Sequence, residues 1–260
     1  MDRGALSDAK VIDATRQFVC IRLATYEDAD EAKFLKKIYR SRSGELENTT
    51  FVVLSPDGKE KLCRAHRSAD HVFGNPRNMA KELNRIARKY KSPSSKPVND
   101  VAALPYMKSL DLALNVAAAD QLPVAVVFDD GDRKILEQLE SSLKQVAWTQ
   151  DKQGQFVFAK TSSSEELKPL AIKDKKPGIY LVHPGNFGLY GKSLQRIDSA
   201  SSLEDLSDAM DVAIRKMPRV HKDHDSHVQT GIRLGIEWES AVPETDPQAV
   251  RARQRARGNR

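Results

Sequence analysis

Apolar positions change their spacing several times along the chain, and each change marks an element. Ser7-Asp8 supplies cap chemistry for a short helix running to Gln17, with Val11, Ile12 and Thr15 near one face. Phe18–Leu23 is a nearly continuous apolar run, the pattern of a strand covered on both sides. After Glu27-Asp28, residues Ala32, Leu35, Ile38 and Tyr39 return to helical spacing. Thr49–Leu54 and Lys61–Ala65 flank Ser-Pro-Asp-Gly at 55–58, which predicts a β-hairpin. Asn75–Tyr90 reads as a helix with Pro76 in its first turn and a stripe of Met79, Leu83, Ile86 and Tyr90.

A second series follows. Leu110–Asp120 is an Ala- and Leu-rich helix, Leu122–Phe128 a buried-type strand, and Asp129–Asp132 a loop. Arg133 to about Thr149 is a long helix with Ile135, Leu136, Leu139, Leu143 and Val146 on its apolar side. Strand Phe156–Ala159, a short helix Glu165–Leu170 and strand Gly178–Val182 come next. The turn His183–Gly188 leads into a returning strand Leu189–Ile197, and Ser202 caps a closing helix to Met217 with Leu203, Leu206, Met210 and Ile214 aligned.

Between the two series, Lys91–Val98 holds two prolines and three serines and reads as a linker. The expected division is a unit at 1–92, a linker at 93–104, a unit at 105–217, and an irregular basic tail at 218–260. A length of 260 residues suits two cores of ordinary size.

Composition narrows the classes. Forty per cent apolar and thirty per cent charged residues describe a globular chain. No apolar run approaches the roughly eighteen residues of a membrane span. The start, Met-Asp-Arg-Gly-Ala-Leu-Ser-Asp, lacks an apolar signal core, so the chain as written is expected in the cytoplasm, and outside it if the true start lies upstream. The net charge of +6 is concentrated in residues 251–260, which hold five arginines; the remainder is about +1. The tail alone could make weak contact with an anionic partner, nucleic acid or membrane surface, while an isolated Arg-rich end reads first as a solvated, disordered terminus.

Few residues carry candidate chemistry. Cys20 and Cys63 are the two cysteines, and neither belongs to a local redox or metal motif. Cys20 sits mid-run among apolar residues and reads as a buried, inert thiol. Cys63 is the candidate reactive thiol, because Arg64, His66 and Arg67 beside it favour a thiolate. His221, His224 and His227 are spaced as metal ligands, but on a helix the first and third diverge by about 120°. After Pro218, the segment reads instead as a solvated loop. Gly-Asn-Phe-Gly at 185–188 is hairpin chemistry and not a phosphate loop.

In element order the second unit resembles the thioredoxin fold. Pro123–Phe128 matches that fold's central strand, and Lys176-Pro177-Gly-Ile-Tyr matches its cis-proline and the strand after it. The resemblance covers about 108–217. It makes Pro177 the candidate cis-proline and sets Asp129, Asp130, Gly131 and Asp132 where the redox pair would stand. The first unit resembles the back half of the same fold, in a form common among bacterial thioredoxin-like proteins. Here Thr49 or Thr50 takes the cis-proline position, and the central strand and Cys-x-x-Cys loop would fall before Met1.

The fold class that follows is α/β, with two thioredoxin-like units, each a mixed sheet flanked by helices, the first truncated at its N-terminus. In such a sheet Phe18–Leu23 and Thr49–Leu54 pair directly or another segment fills the gap. Cys20 and Cys63 then lie at least two strand spacings apart, beyond the roughly 7 Å that a disulfide spans. The resemblance implies a non-catalytic protein that binds a protein partner and needs no cofactor. Three readings stay open beside it: a redox protein using Cys63 alone, an oxidoreductase whose active segment lies upstream of Met1, and nucleic-acid binding by the tail.

Overall fold

The computed structural model describes residues 5–21, 23, 25, 28–39, 44, 50–90, 103–217, 223–236, 242, 250–251 and 254–255. Contacts divide the chain into two compact units, Met1–Lys96 with Glu237–Arg260, and Pro97–Ile236. Most of the expected linker at 93–104 lies outside the described residues.

The first unit is mainly helical. Helix α1 (Ala9–Thr15) begins at Asp8, whose carboxylate accepts from Lys10 N at 2.9 Å and Val11 N at 3.3 Å. Helix α2 (Ala29–Ile38) is capped by Asp28 in the same way and buries Ala32, Leu35 and Ile38, the predicted face. Helix α3 (Ala69–Phe73) is short and ends at Gly74, and α4 (Pro76–Lys89) follows with Asn75 as its cap. Met79, Leu83 and Ile86 of α4 pack against Val11 and Ala14 of α1, with Val53 and Phe51 beside them. The hairpin is present as two antiparallel bridges, Phe51 to His66 and Leu54 to Lys61, closed by the turn at Ser55–Gly58.

The expected strand Phe18–Leu23 is a correction. Its described residues join no bridge, and Val19 and Ile21 are 84% and 68% exposed. A strand needs at least one hydrogen-bonded neighbour, and the bridges described in this unit all belong to the 51–66 hairpin. The direct pairing with 49–54 is therefore not formed by the described residues, and a second thioredoxin-like sheet is not seen among them.

The second unit is α/β around a four-stranded mixed sheet. Its elements are α5 (Leu110–Asp120), β1 (Val124–Phe128), α6 (Arg133–Ala147), β2 (Val157–Thr161), a one-turn 3-10 helix (Lys168–Leu170), β3 (Gly178–Pro184), β4 (Gly191–Ile197), α7 (Leu203–Lys216) and α8 (His224–Arg233). The strand order is β2-β1-β3-β4, with β1 parallel to β2 and β3 antiparallel to both its neighbours. That order and those directions are compatible with a thioredoxin-like fold. Every residue of β1 is buried, which explains why its sequence shows no alternation. Ala125 and Val127 face α6 and α7, while Val124, Val126 and Phe128 face α5 and the 3-10 helix.

Two further expectations are corrected. Among the described residues no peptide bond is cis, so the bond before Pro177 is trans. The segment expected as a loop after residue 218 contains α8, because the Asp223 carboxylate accepts from Ser226 N at 2.8 Å and starts a helix there. No helix among the described residues is long and apolar enough to cross a membrane.

Candidate functional site

The register of β1 with β3 sets Phe128 opposite Gly178, so Asp129–Asp132 and Pro177 lie at one end of the sheet. The acidic turn is built for capping. Asp129 is buried, and its Oδ1 accepts from Gly131 N at 3.3 Å, while Asp132 N donates to Asp129 O at 3.0 Å. Asp130 and Gly131 take left-handed backbone angles, with φ of 51° and 85°, and bring the chain round within four residues. Asp132 then accepts from Lys134 N at 2.9 Å and Ile135 N at 3.3 Å, satisfying the first amides of α6. Carboxylates here complement the helix dipole and transfer no electrons.

The loop before Pro177 is fastened from the strands. The Tyr180 hydroxyl donates to Lys176 O at 2.6 Å and accepts from Lys176 N at 3.1 Å. Arg196 Nη1 donates to Pro177 O at 2.7 Å.

Both cysteines belong to the first unit, and both are free thiols. Cys63 is half-buried against the first unit's core, and its Sγ accepts from Val53 N at 3.1 Å. Burial pushes its pKa up, the Glu82 charge adds to that, and the Val53 hydrogen bond opposes it without winning. The neighbouring basic residues, expected to favour a thiolate, are not among the groups that set this shift. Cys20, expected to be buried, is exposed and donates weakly to Thr15 O at 3.8 Å.

His66 stacks on His71 at 4.5 Å, and its Nδ1 is buried with no hydrogen-bond partner. Desolvation, then the charges of His71, Arg64 and Arg67, lower its pKa below the usual 6.5. The folded chain thus holds this proton less tightly than the unfolded chain. Stability linked to His66 is intact above about pH 6.5 and falls as pH drops through and below it. Urea midpoints are expected to decline between pH 7.5 and 5.5, and less steeply in His66→Phe; equal slopes would exclude His66 as the origin.

The candidate metal ligands do not gather among the described residues. His221 and the side chain of His224 lie outside them. The His227 ring stacks on Phe187 at 4.4 Å and 20°, and a Cβ on Gly231 would sit 3.1 Å from the Phe187 ring. His227 and Gly231 thereby pack α8 on the turn before β4. No group of three His, Cys, Asp or Glu side chains suited to a metal occurs among the described residues. Of the basic tail, Arg251, Gln254 and Arg255 are described and exposed.

A cleft of about 500 Å³ opens beside β4, on the face of the sheet that carries α5. Leu170, Ile172 and the Tyr180 ring give it apolar walls, and Lys192, Ser193 and Arg196 give it polar ones. It forms where α5, packed mainly over β1, β2 and β3 and touching β4 through Leu114 at Gly191, gives way to the single-turn 3-10 helix. Gly191 keeps that approach close, since a Cβ there would lie 2.6 Å from Val182 Cγ1 and 2.8 Å from Leu170 Cδ2. Sequence reasoning missed this site. Its signals were a short helix interrupted by Pro169 and small residues at 191 and 193, which become a cleft only when the two segments meet.

No protein-family model matches the chain, no curated protein matches it, and no solved structure does.

Proposed function

We propose that this chain acts by binding a protein partner through its second unit, on a thioredoxin-like fold that has no thiol chemistry. The observation that carries the reading is the acidic turn at Asp129–Asp132. It occupies the step from the central strand into α6, where Asp132 caps that helix and Asp129 holds the turn. Thiol exchange needs a stabilised thiolate and a second thiol in reach. Cys63 instead has a raised pKa.

The test is reduction of insulin by dithiothreitol. Adding the chain is expected to leave the rate at that of dithiothreitol alone. Acceleration that disappears in Cys63→Ser would replace binding with single-thiol redox chemistry as the function.

A further inference from the structure

We infer that the cleft beside β4 seats an extended acidic segment of the partner, with an apolar side chain in the cleft and neighbouring carboxylates on its cationic rim. This rests on the binding function proposed above and names the chemistry of the partner. The cleft's volume, about 500 Å³, is that of a site for one or two side chains or a small ligand. Its floor is aliphatic and aromatic, so it takes an apolar group.

The rim selects the charge. Lys192 is exposed and makes no ion pair among the described residues. Arg196 spends Nη1 on Pro177 O, and its Nη2 stands 3.9 Å from Asp198, leaving guanidinium donors facing the cleft. The acid in the lining, Asp174, is neutralised by Lys176 at 2.9 Å. A carboxylate arriving here meets the Lys192 ammonium and the remaining Arg196 donors, and an incoming cation meets repulsion.

A second copy of the chain fits badly. Two β4 strands paired antiparallel about Leu194 would set Lys192 against Arg196, and like charges directly opposed destabilise a strand pair.

The experiment selects linear peptides from a randomised displayed library on the full chain. Affinities of the enriched peptides are then measured by fluorescence anisotropy. The expected family carries Asp or Glu beside Leu, Ile or Phe. Its affinity is expected to fall by about tenfold or more in Lys192→Glu, and similarly in Ser193→Trp, which fills the cleft. Lys134→Glu, on α6, is expected to change it by less than about twofold. Lys192 is exposed and unpaired, so its variant reports on binding even if Ser193→Trp does not fold. Failure to enrich an acidic family overturns the assignment. Equal displacement by single-stranded oligo(dT) assigns the rim to nucleic acid and also overturns it. Acidic peptides indifferent to Lys192→Glu remove the cleft while leaving the binding function standing; insulin reduction by the chain removes that function independently.

Discussion

Replacing Gly188 with alanine is expected to destabilise the second unit by about 4 kcal/mol, from two costs of similar size. The residue has φ of 70°, where a Cβ is strained. That Cβ would also lie 2.5 Å from Asn115 Cα and 2.9 Å from Leu114 O. Both atoms are backbone of α5, so relief requires the helix to move off the sheet that it covers. Gly131 gives the control. Its φ is 85°, but nothing lies within 4 Å of its Cβ position, so only the conformational cost applies, about 1–2 kcal/mol. Amide exchange at Val126, in the centre of the sheet, reads the difference. Gly188→Ala is expected to speed it by nearly a thousandfold, and Gly131→Ala by roughly five- to thirtyfold. Equal effects would mean that the approach to α5 imposes nothing.

Lys152→Ala has the second large effect, about 3 kcal/mol. Lys152 is 1% exposed, and its ammonium donates to Asp211 Oδ1 at 2.8 Å and to Asp151. The contact ties the turn after α6 to α7. Desolvation alone would lower the lysine's pKa, but the hydrogen bonds to Asp151 and Asp211 outweigh it and the pKa is raised. Hydrogen bonding to Lys152 in turn holds the Asp151 carboxyl at about 2. Both carboxylates are partly exposed and rehydrate when the lysine is lost. Most of the cost is therefore the cavity left by the stem. Lys152→Met keeps the stem and is expected to lose only about 1 kcal/mol.

The pH dependence distinguishes charge from packing. A raised lysine pKa gives stability that is complete below the ordinary 10.5 and lost as pH climbs through the folded value. A lowered aspartate pKa gives stability present above the ordinary 3.8 and lost as pH falls towards about 2. The gap between wild type and Lys152→Met is thus expected to be flat at intermediate pH and to narrow at both extremes. Urea unfolding across pH measures it, and a pH-independent gap would assign Lys152 to packing alone.

The second unit was legible because its signals are local and redundant. Ser109, Asp132 and Ser202 each bond a backbone amide at a helix start, and β1 is apolar at every position because both its faces are covered. The first unit misled because a short apolar run carries no information about partners. Phe18–Leu23 has a strand's composition, but its described residues find no ladder, and Val19 and Ile21 face water. In helix α8 the spaced histidines and the preceding Pro218 obscure a regular helical pattern. Its start at Asp223 and its stop at Gly235, with φ of 67°, are ordinary cap signals. The turn at Asp129–Asp132 was readable as a cap from residue type alone. The cleft was not, since it depends on how closely residues 170–174 approach β4.

Whether the chain binds or exchanges thiols comes down to the state of Cys63. Its rate of alkylation by iodoacetamide, followed against pH in Cys20→Ser, tests this directly. The expected profile has its midpoint above the ordinary thiol value of 9.0, with no thiolate plateau near neutrality. A midpoint near or below about pH 7 would show a poised nucleophile and contradict a purely binding role.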